Sequence, residues 1–213
     1  AQQLDKTPGL KLLGVAFYPG HIKALDDAGL KAISALDETL STVASQFREH
    51  GLPLEIVSGG STPTLFHSHR VRSMNEIRPG TYIFNDRNTV ACGACGWEDC
   101  AAAILCTVVS VSPGSRAIID GGSKTFSSDR LVTTGEASYG YVVEAPEAVF
   151  YKLNEEHGFL DISRCSRPIR VGDKLRVIPN HICVAMNLHE TVYAIRKDEV
   201  ELELRVEARG KLR

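Results

Sequence analysis

No apolar run in this 213-residue chain approaches the roughly 20 residues that a membrane-crossing helix needs, and no secretory signal is visible at its start. Charge of one sign is also lacking. A formal net charge of −2 supplies neither the basic surplus that nucleic acid requires nor the one that an anionic bilayer requires. The six cysteines (Cys92, Cys95, Cys100, Cys106, Cys165 and Cys183) are too sparse for a disulfide scaffold and read as reduced thiols of a cytoplasmic protein. Internal repeats and low-complexity tracts are missing as well. The chain opens Ala1-Gln2-Gln3 without a methionine and reads as a processed or excerpted piece.

What is present suggests two kinds of architecture in succession. Leu12 to Phe17 is a short apolar run closed by the turn Tyr18-Pro19-Gly20-His21. Ile33, Leu36, Leu40, Val43 and Phe47 then recur at steps of three and four, which marks one face of a helix. Gly51 and Pro53 stop it. Leu54 to Val57 reads as a second strand feeding Ser58-Gly59-Gly60-Ser61-Thr62-Pro63, and Thr81 to Phe84 as a third, after Arg78-Pro79-Gly80. Strands alternating with helices imply parallel pairing.

From about Ala102 the pattern becomes many short strand-like runs punctuated by Gly, Pro and Asp. These are 104–111, 117–119, 139–143, 149–153, 174–178, 183–188, 191–195 and 200–206. The expected division is therefore 1–96 as an α/β part and 97–213 as an antiparallel β domain. Three parallel strands with one good helix leave sheet faces and edges uncovered. The first part thus reads as the C-terminal part of a (β/α) barrel, with Tyr18 to His21, Gly59 to Thr62 and Gly80 to Tyr82 at the strand ends where such barrels keep their chemistry.

Two groups of residues carry possible chemistry. His181 and Cys183, within Val177-Ile178-Pro179-Asn180-His181-Ile182-Cys183-Val184-Ala185-Met186-Asn187, read as neighbours on one face of a strand. Imidazole and thiolate are ligand types that zinc prefers, and two protein ligands would leave positions for water or substrate. A buried cysteine beside a chance histidine is the better reading of an isolated His-x-Cys. The second group is Gly59-Gly60-Ser61-Thr62-Pro63, where glycines, successive N–H groups and hydroxyls could cradle a phosphate. An ordinary capped turn is the alternative. Cys92-x-x-Cys95 followed by Cys100 lies among small residues and reads as linker rather than metal site.

Taken in order, several stretches resemble the D-serine dehydratase and D-threonine aldolase family: Gly59-Gly60-Ser61-Thr62-Pro63-Thr64, Glu76-Ile77-Arg78-Pro79-Gly80-Thr81-Tyr82-Ile83-Phe84-Asn85-Asp86 and Asp120-Gly121-Gly122-Ser123-Lys124-Thr125-Phe126-Ser127-Ser128-Asp129. Glu155-Glu156-His157-Gly158 and Pro179-Asn180-His181-Ile182-Cys183 complete the set. The resemblance implies a pyridoxal 5'-phosphate enzyme with an alanine-racemase-type barrel and a β domain carrying the metal. It implies a Zn2+ pair at His181 and Cys183. Cofactor-binding positions would be Gly59, Gly60, Ser61, Thr62, Gly80 and Thr81 for the phosphate, Arg78 toward the pyridine nitrogen, and Tyr18 near the ring.

That family's aldolases typically carry Asp where Cys183 stands and favour harder ions, so Cys183 tilts the expectation toward a dehydratase. The implied reaction is loss of water from a D-3-hydroxy amino acid, giving a 2-oxo acid and ammonia. The full-length form is implied to be a homodimer acting on a small D-amino acid, without nucleic acid or membrane partners. The family's Schiff-base lysine has no match here. Lys124 sits in the β-domain motif, and Lys11 and Lys23 lack any supporting motif. The chain is therefore expected to resemble the C-terminal portion of such an enzyme and to be inactive alone. A D-threonine or 3-hydroxy-D-aspartate aldolase, and a non-catalytic remnant, remain as alternatives.

Overall fold

In the computed structural model, which describes residues 1–133 and 136–211, the chain divides into two compact units. One comprises Ala1–Ile83 and Thr89–Gly96, the other Phe84–Asn88 and Trp97–Arg213. The first holds strands β1 (Gly14–Ala16), β2 (Ile56–Gly59) and β3 (Glu76–Ile77), paired in parallel in the order β1-β2-β3. Between β1 and β2 runs the helix Asp27–Glu49. Asp26 starts it by accepting the Gly29 N–H at 2.9 Å. Its inward stripe places Ile33 and Leu40 against Val57 of β2, with Ile22, Leu36 and Val71 completing that core. Asp37, buried on the same helix, accepts the Arg72 backbone N–H and Nε at 2.8 and 3.2 Å.

The expected third strand is misplaced by one turn of chain. Thr81–Ile83 is a 3-10 turn, and the strand paired with β2 is Glu76–Ile77, with Ser58 opposite Glu76. Pro79 has no N–H to give a ladder, so pairing ends before it despite the β-forming Tyr82-Ile83-Phe84.

The second unit holds β4 (Ile104–Ser112), β5 (Arg116–Ile119), β6 (Leu131–Thr133), β7 (Glu136–Ser138), β8 (Gly140–Val142), β9 (Val149–Leu153), β10 (Gly158–Asp161), β11 (Lys174–Pro179), β12 (Thr191–Arg196) and β13 (Glu199–Arg205). Six of these form a sheet of antiparallel neighbours in the order β8-β11-β4-β5-β10-β9. Its two outer strands curl toward each other, the Tyr139 N–H donating to the Phe150 carbonyl at 2.9 Å. The nearly closed sheet buries Val108, Ala117, Ile119, Val142, Phe150, Leu160, Leu175 and Val177 without residual exposure. A register shift in β4 between Val108 and Ser110 supplies part of the curl.

The expected strand over 183–188 is a helix, Ile182–Leu188. Its buried residues Ile182 and Ala185 stand three apart, the helical period rather than the strand period. Among the described residues no helix is long and apolar enough to cross a membrane.

Cys106 lies inside the sheet core, where burial first and the Asp120 carboxylate second push its thiol pKa up to about 12 from 9.0. The raised folded value means that the native thiol keeps its proton while the unfolded one releases it. The stabilisation is therefore complete below pH 9 and lost as pH rises toward 12. Unfolding free energies from urea titrations between pH 9 and pH 11 should fall by about 1.4 kcal/mol per pH unit from this group. Cys106→Ala should remove that part of the slope.

Candidate functional site

The lead residues of the second unit lie where β11 turns into the helix Ile182–Leu188. His181 is the residue that precedes the helix and Cys183 lies in its first turn. They do not share a strand face as the sequence suggested, yet their side chains meet. The Cys183 sulfur hydrogen-bonds the half-buried imidazole and holds its pKa above the ordinary value, burial opposes this, and the Asp86 and Asp129 carboxylates add to the rise. Cys183 is exposed, so the pair opens outward. An imidazole nitrogen and a sulfur in contact at an exposed helix start suit a borderline-soft divalent ion. Among the described residues no group of three His, Cys, Asp or Glu side chains gathers.

Three consecutive residues, Asp86, Arg87 and Asn88, clamp this turn; Asp86 ends the family-like stretch Glu76 to Asp86 but was given no role there, and Arg87 and Asn88 were not singled out. The Asp86 carboxylate, 1% exposed, accepts the Ile182 N–H at 3.0 Å. Arg87 Nη1 donates to Asn180 Oδ1 at 3.5 Å, and the Asn88 N–H to the Asn180 carbonyl at 3.2 Å. Asn180, 2% exposed, donates through Nδ2 to the Asp129 and Ser138 carbonyls at 2.8 and 2.6 Å. The backbone on both sides of His181 is thereby fixed. The one available signal was an acid two positions after the apolar run Tyr82-Ile83-Phe84, since a carboxylate enters a core only with partners.

In the first unit the remaining predicted residues gather at the C-terminal ends of the parallel strands. Arg78 ties the ends together, its Nε donating to Ser58 Oγ at 2.8 Å and its Nη2 to the Phe17 carbonyl at 2.9 Å, while Ser58 also bonds Glu76. Its guanidinium is thus engaged in closing the sheet. The Tyr82 N–H donates to Thr62 Oγ1 at 3.1 Å, which brings Gly80 and Thr81 beside the glycine turn. Gly60 has φ +80°, a left-handed value that favours glycine. Gly59 serves packing, because a Cβ there would come within 2.2 Å of the Phe17 ring. Ser61 and Thr62 are buried, and the Ser61 N–H and hydroxyl turn to Thr64 Oγ1 at 3.2 and 3.1 Å. Both hydroxyls are engaged inside the protein, so a phosphate at Ser61 would have to exchange with Thr64, while Thr62 Oγ1 already accepts the Tyr82 N–H. Tyr18 stands 74% exposed after β1.

Two of the motifs are bonded to each other. Ser123 and Lys124 donate their N–H groups to the Asn154 and Glu155 carbonyls at 2.8 and 3.1 Å, which locks Asp120 to Lys124 onto Asn154 to Gly158. Lys124 is an exposed surface cation paired with Glu155 and Glu156 at 3.1 and 2.7 Å. His157 is exposed, and its carbonyl accepts the Asn154 N–H in the same turn at 2.8 Å.

Against known proteins, the family model described as "Putative serine dehydratase domain" matches residues 101–195. The chain is similar to D-threo-3-hydroxyaspartate dehydratase of Delftia sp. (strain HT23), 32% identical over 193 residues, covering 82% of this chain and 50% of that protein. It is also similar to D-serine dehydratase of Dictyostelium discoideum, 29% identical over 206 residues, covering 87% and 51%. The chain therefore spans about half the length of the curated relatives it matches. In fold it is similar to D-threonine aldolase from Filomicrobium marinum, with a TM-score of 0.83 and 21% identity over 99% of this chain and 57% of that one. A solved structure of D-threo-3-hydroxyaspartate dehydratase, a cysteine-to-alanine mutant in the metal-free form, superposes with a TM-score of 0.77 and 30% identity over 93% and 57%.

Proposed function

Because the chain belongs to the D-serine dehydratase and D-threonine aldolase family, we propose that it carries the metal pair and part of the cofactor site of a pyridoxal 5'-phosphate- and Zn2+-dependent dehydratase acting on a small D-3-hydroxy amino acid. The observation that carries this reading is the contact between the His181 imidazole and the Cys183 sulfur on a clamped turn. When bound, the metal supplies Lewis acidity toward a β-hydroxyl and the pyridoxal ring an electron sink. His181 and Cys183 hold the metal, and Asp86 and Asn180 fix the turn that aims them. Gly60, Ser61 and Thr62, with Gly80 and Thr81, are the positions for the cofactor phosphate. Arg78 keeps the strand ends together beneath them. No lysine of this chain matches the family's Schiff-base position, so the chain alone is proposed to be without turnover. The full-length form is proposed to be a cytoplasmic homodimer.

Cys183 favours dehydratase over aldolase, since a thiolate selects zinc over harder ions. Equilibrium dialysis with elemental analysis should find one zinc per chain. That zinc should be lost from His181→Ala and from Cys183→Ala, and the Co2+-loaded chain should lose its sulfur charge-transfer absorption in the cysteine variant. Cys183→Asp should weaken zinc about tenfold or more and improve Mg2+ or Mn2+ uptake. Unchanged zinc content in the His181 and Cys183 variants overturns the reading. Once the family's lysine-bearing part is supplied, a 2-oxo acid and ammonia are the expected products, whereas glycine and an aldehyde would assign it as an aldolase.

A further inference from the structure

Five described residues other than glycine take a left-handed backbone. Four of them, Ser115, Ser127, Lys197 and Asp198, are exposed or half-buried. The fifth, Asn85, has φ +52° and is buried, with 9% exposure. That conformation is unfavourable for L-residues, least so for asparagine, and it persists in a core only where the surroundings determine it. At Asn85 they do so from two sides. The Phe84 carbonyl accepts the Ala101 N–H at 2.7 Å, and Asn85 Nδ2 donates to the Asp99 carbonyl at 3.1 Å. Just beyond, the Asp86 carboxylate accepts the Ile182 N–H at 3.0 Å, and the Asn88 N–H donates to the Asn180 carbonyl at 3.2 Å.

Asn85 is therefore a junction, where the chain leaves the segment 99–101 and meets the turn that carries His181. With Phe84 anchored, moving φ of residue 85 from +52° to the ordinary negative range swings the chain beyond it. The Asp86 carboxylate then leaves the Ile182 N–H. We propose that Asn85 is a positioning residue for the His181–Cys183 pair. Its left-handed backbone turns Asp86 onto the helix start, and its side-chain bond to Asp99 supports that conformation. The role rests on the reading of this pair as a metal centre, and Asn85 acts through Asp86 rather than on the ion.

Two variants separate backbone from side chain. Asn85→Gly and Asn85→Ala both lose the bond to Asp99, but only glycine enters the left-handed region freely. Amide hydrogen exchange of the metal-free 213-residue chain reads the Asp86–Ile182 bond directly. Val108 is the reference, because its buried N–H donates to the Asp173 carbonyl at 2.9 Å within the same unit. In Asn85→Ala the Ile182 amide should exchange about tenfold or more faster relative to Val108, as expected for a lost bond to a charged acceptor. Asn85→Gly should stay within about threefold of the parent. Co2+ affinity, read from the sulfur charge-transfer band, should follow the same order, about tenfold weaker in Asn85→Ala and close to the parent in Asn85→Gly. Should Asn85→Ala fail to fold, Asn85→Ser replaces it with the same expectation, being polar without asparagine's tolerance of this backbone. Ile182 exchange that is unaltered in Asn85→Ala, that rises only together with Val108, or that rises equally in Asn85→Gly overturns the proposal. A parent chain that binds no Co2+ refutes the metal reading alone, since the Ile182 amide is followed without metal.

Discussion

Asp86→Ala is expected to lower the stability of the unit that holds it by about 3 kcal/mol and to loosen the His181–Cys183 pair in the same step. The buried carboxylate accepts the Ile182 N–H, one of the donors a helix start cannot satisfy internally. Alanine leaves that donor buried and unpaired, which costs about 1–3 kcal/mol, and more where the lost acceptor is charged. Asp86→Asn separates the contributions, because its amide oxygen can still accept the bond while the charge facing His181 is gone. About half the loss is expected in that variant, read as urea midpoints. The metal readout is independent of stability. Carboxylates that orient a ligating histidine are worth about 10–100-fold in metal affinity. Competition with a chelator under conditions where each variant is folded should therefore show weaker Co2+ and Zn2+ in both. Equal metal affinity in Asp86→Asn and the parent chain would reduce Asp86 to a helix cap. Unaltered stability in Asp86→Ala would refute the clamp.

What could be read from the sequence, and what could not, divides along the range of the forces involved. The helix Asp27–Glu49 declared itself through Ile33, Leu36 and Leu40 at helical spacing and through Gly51, which takes φ +65° at its end. The alternation of Val200, Leu202 and Leu204 with glutamates likewise marked β13, although those three side chains are exposed. Local pattern suffices for elements whose own residues decide their period. It failed at Cys183 to Leu188, where Val184, Met186 and Leu188 alternate as a strand would. There a capping carboxylate nearly a hundred positions upstream makes the segment a helix. It failed again at Thr81 to Phe84, where Pro79 and the Tyr82 bond to Thr62 override β-propensity. Within the candidate site, His181 and Cys183 were legible as a pair because of their residue types. Asp86 was not, since its role exists only through long-range contact. Arg78 was expected to face a ring nitrogen, and the structure engages it with Ser58 and Phe17.

The glycines of the second-unit motifs yield the other large effect. Asp120-Gly121-Gly122-Ser123 opens one of the family-like stretches, and a Cβ at Gly122 would lie 2.4 Å from the carbonyl oxygens of both Asn154 and Glu155. Backbone cannot retreat as a flexible side chain can. The same two carbonyls accept the N–H groups of Ser123 and Lys124. Gly122→Ala must therefore either break both bonds or displace the Asn154 turn, whose own Gly158 packs so closely on Phe150 that a Cβ there would lie 2.6 Å from the ring. Overpacking of this kind costs about 1–3 kcal/mol, and the two displaced backbone bonds add to it. A loss of about 4 kcal/mol is expected, with thermal midpoints lower by about 10 °C or more. Gly80→Ala is the control, since nothing lies within 4 Å of the added methyl, and its midpoint should be nearly that of the parent. If Gly122→Ala were as stable as Gly80→Ala, the two motifs would not interlock through their backbones. The glycine would then have to be explained by a ligand after all.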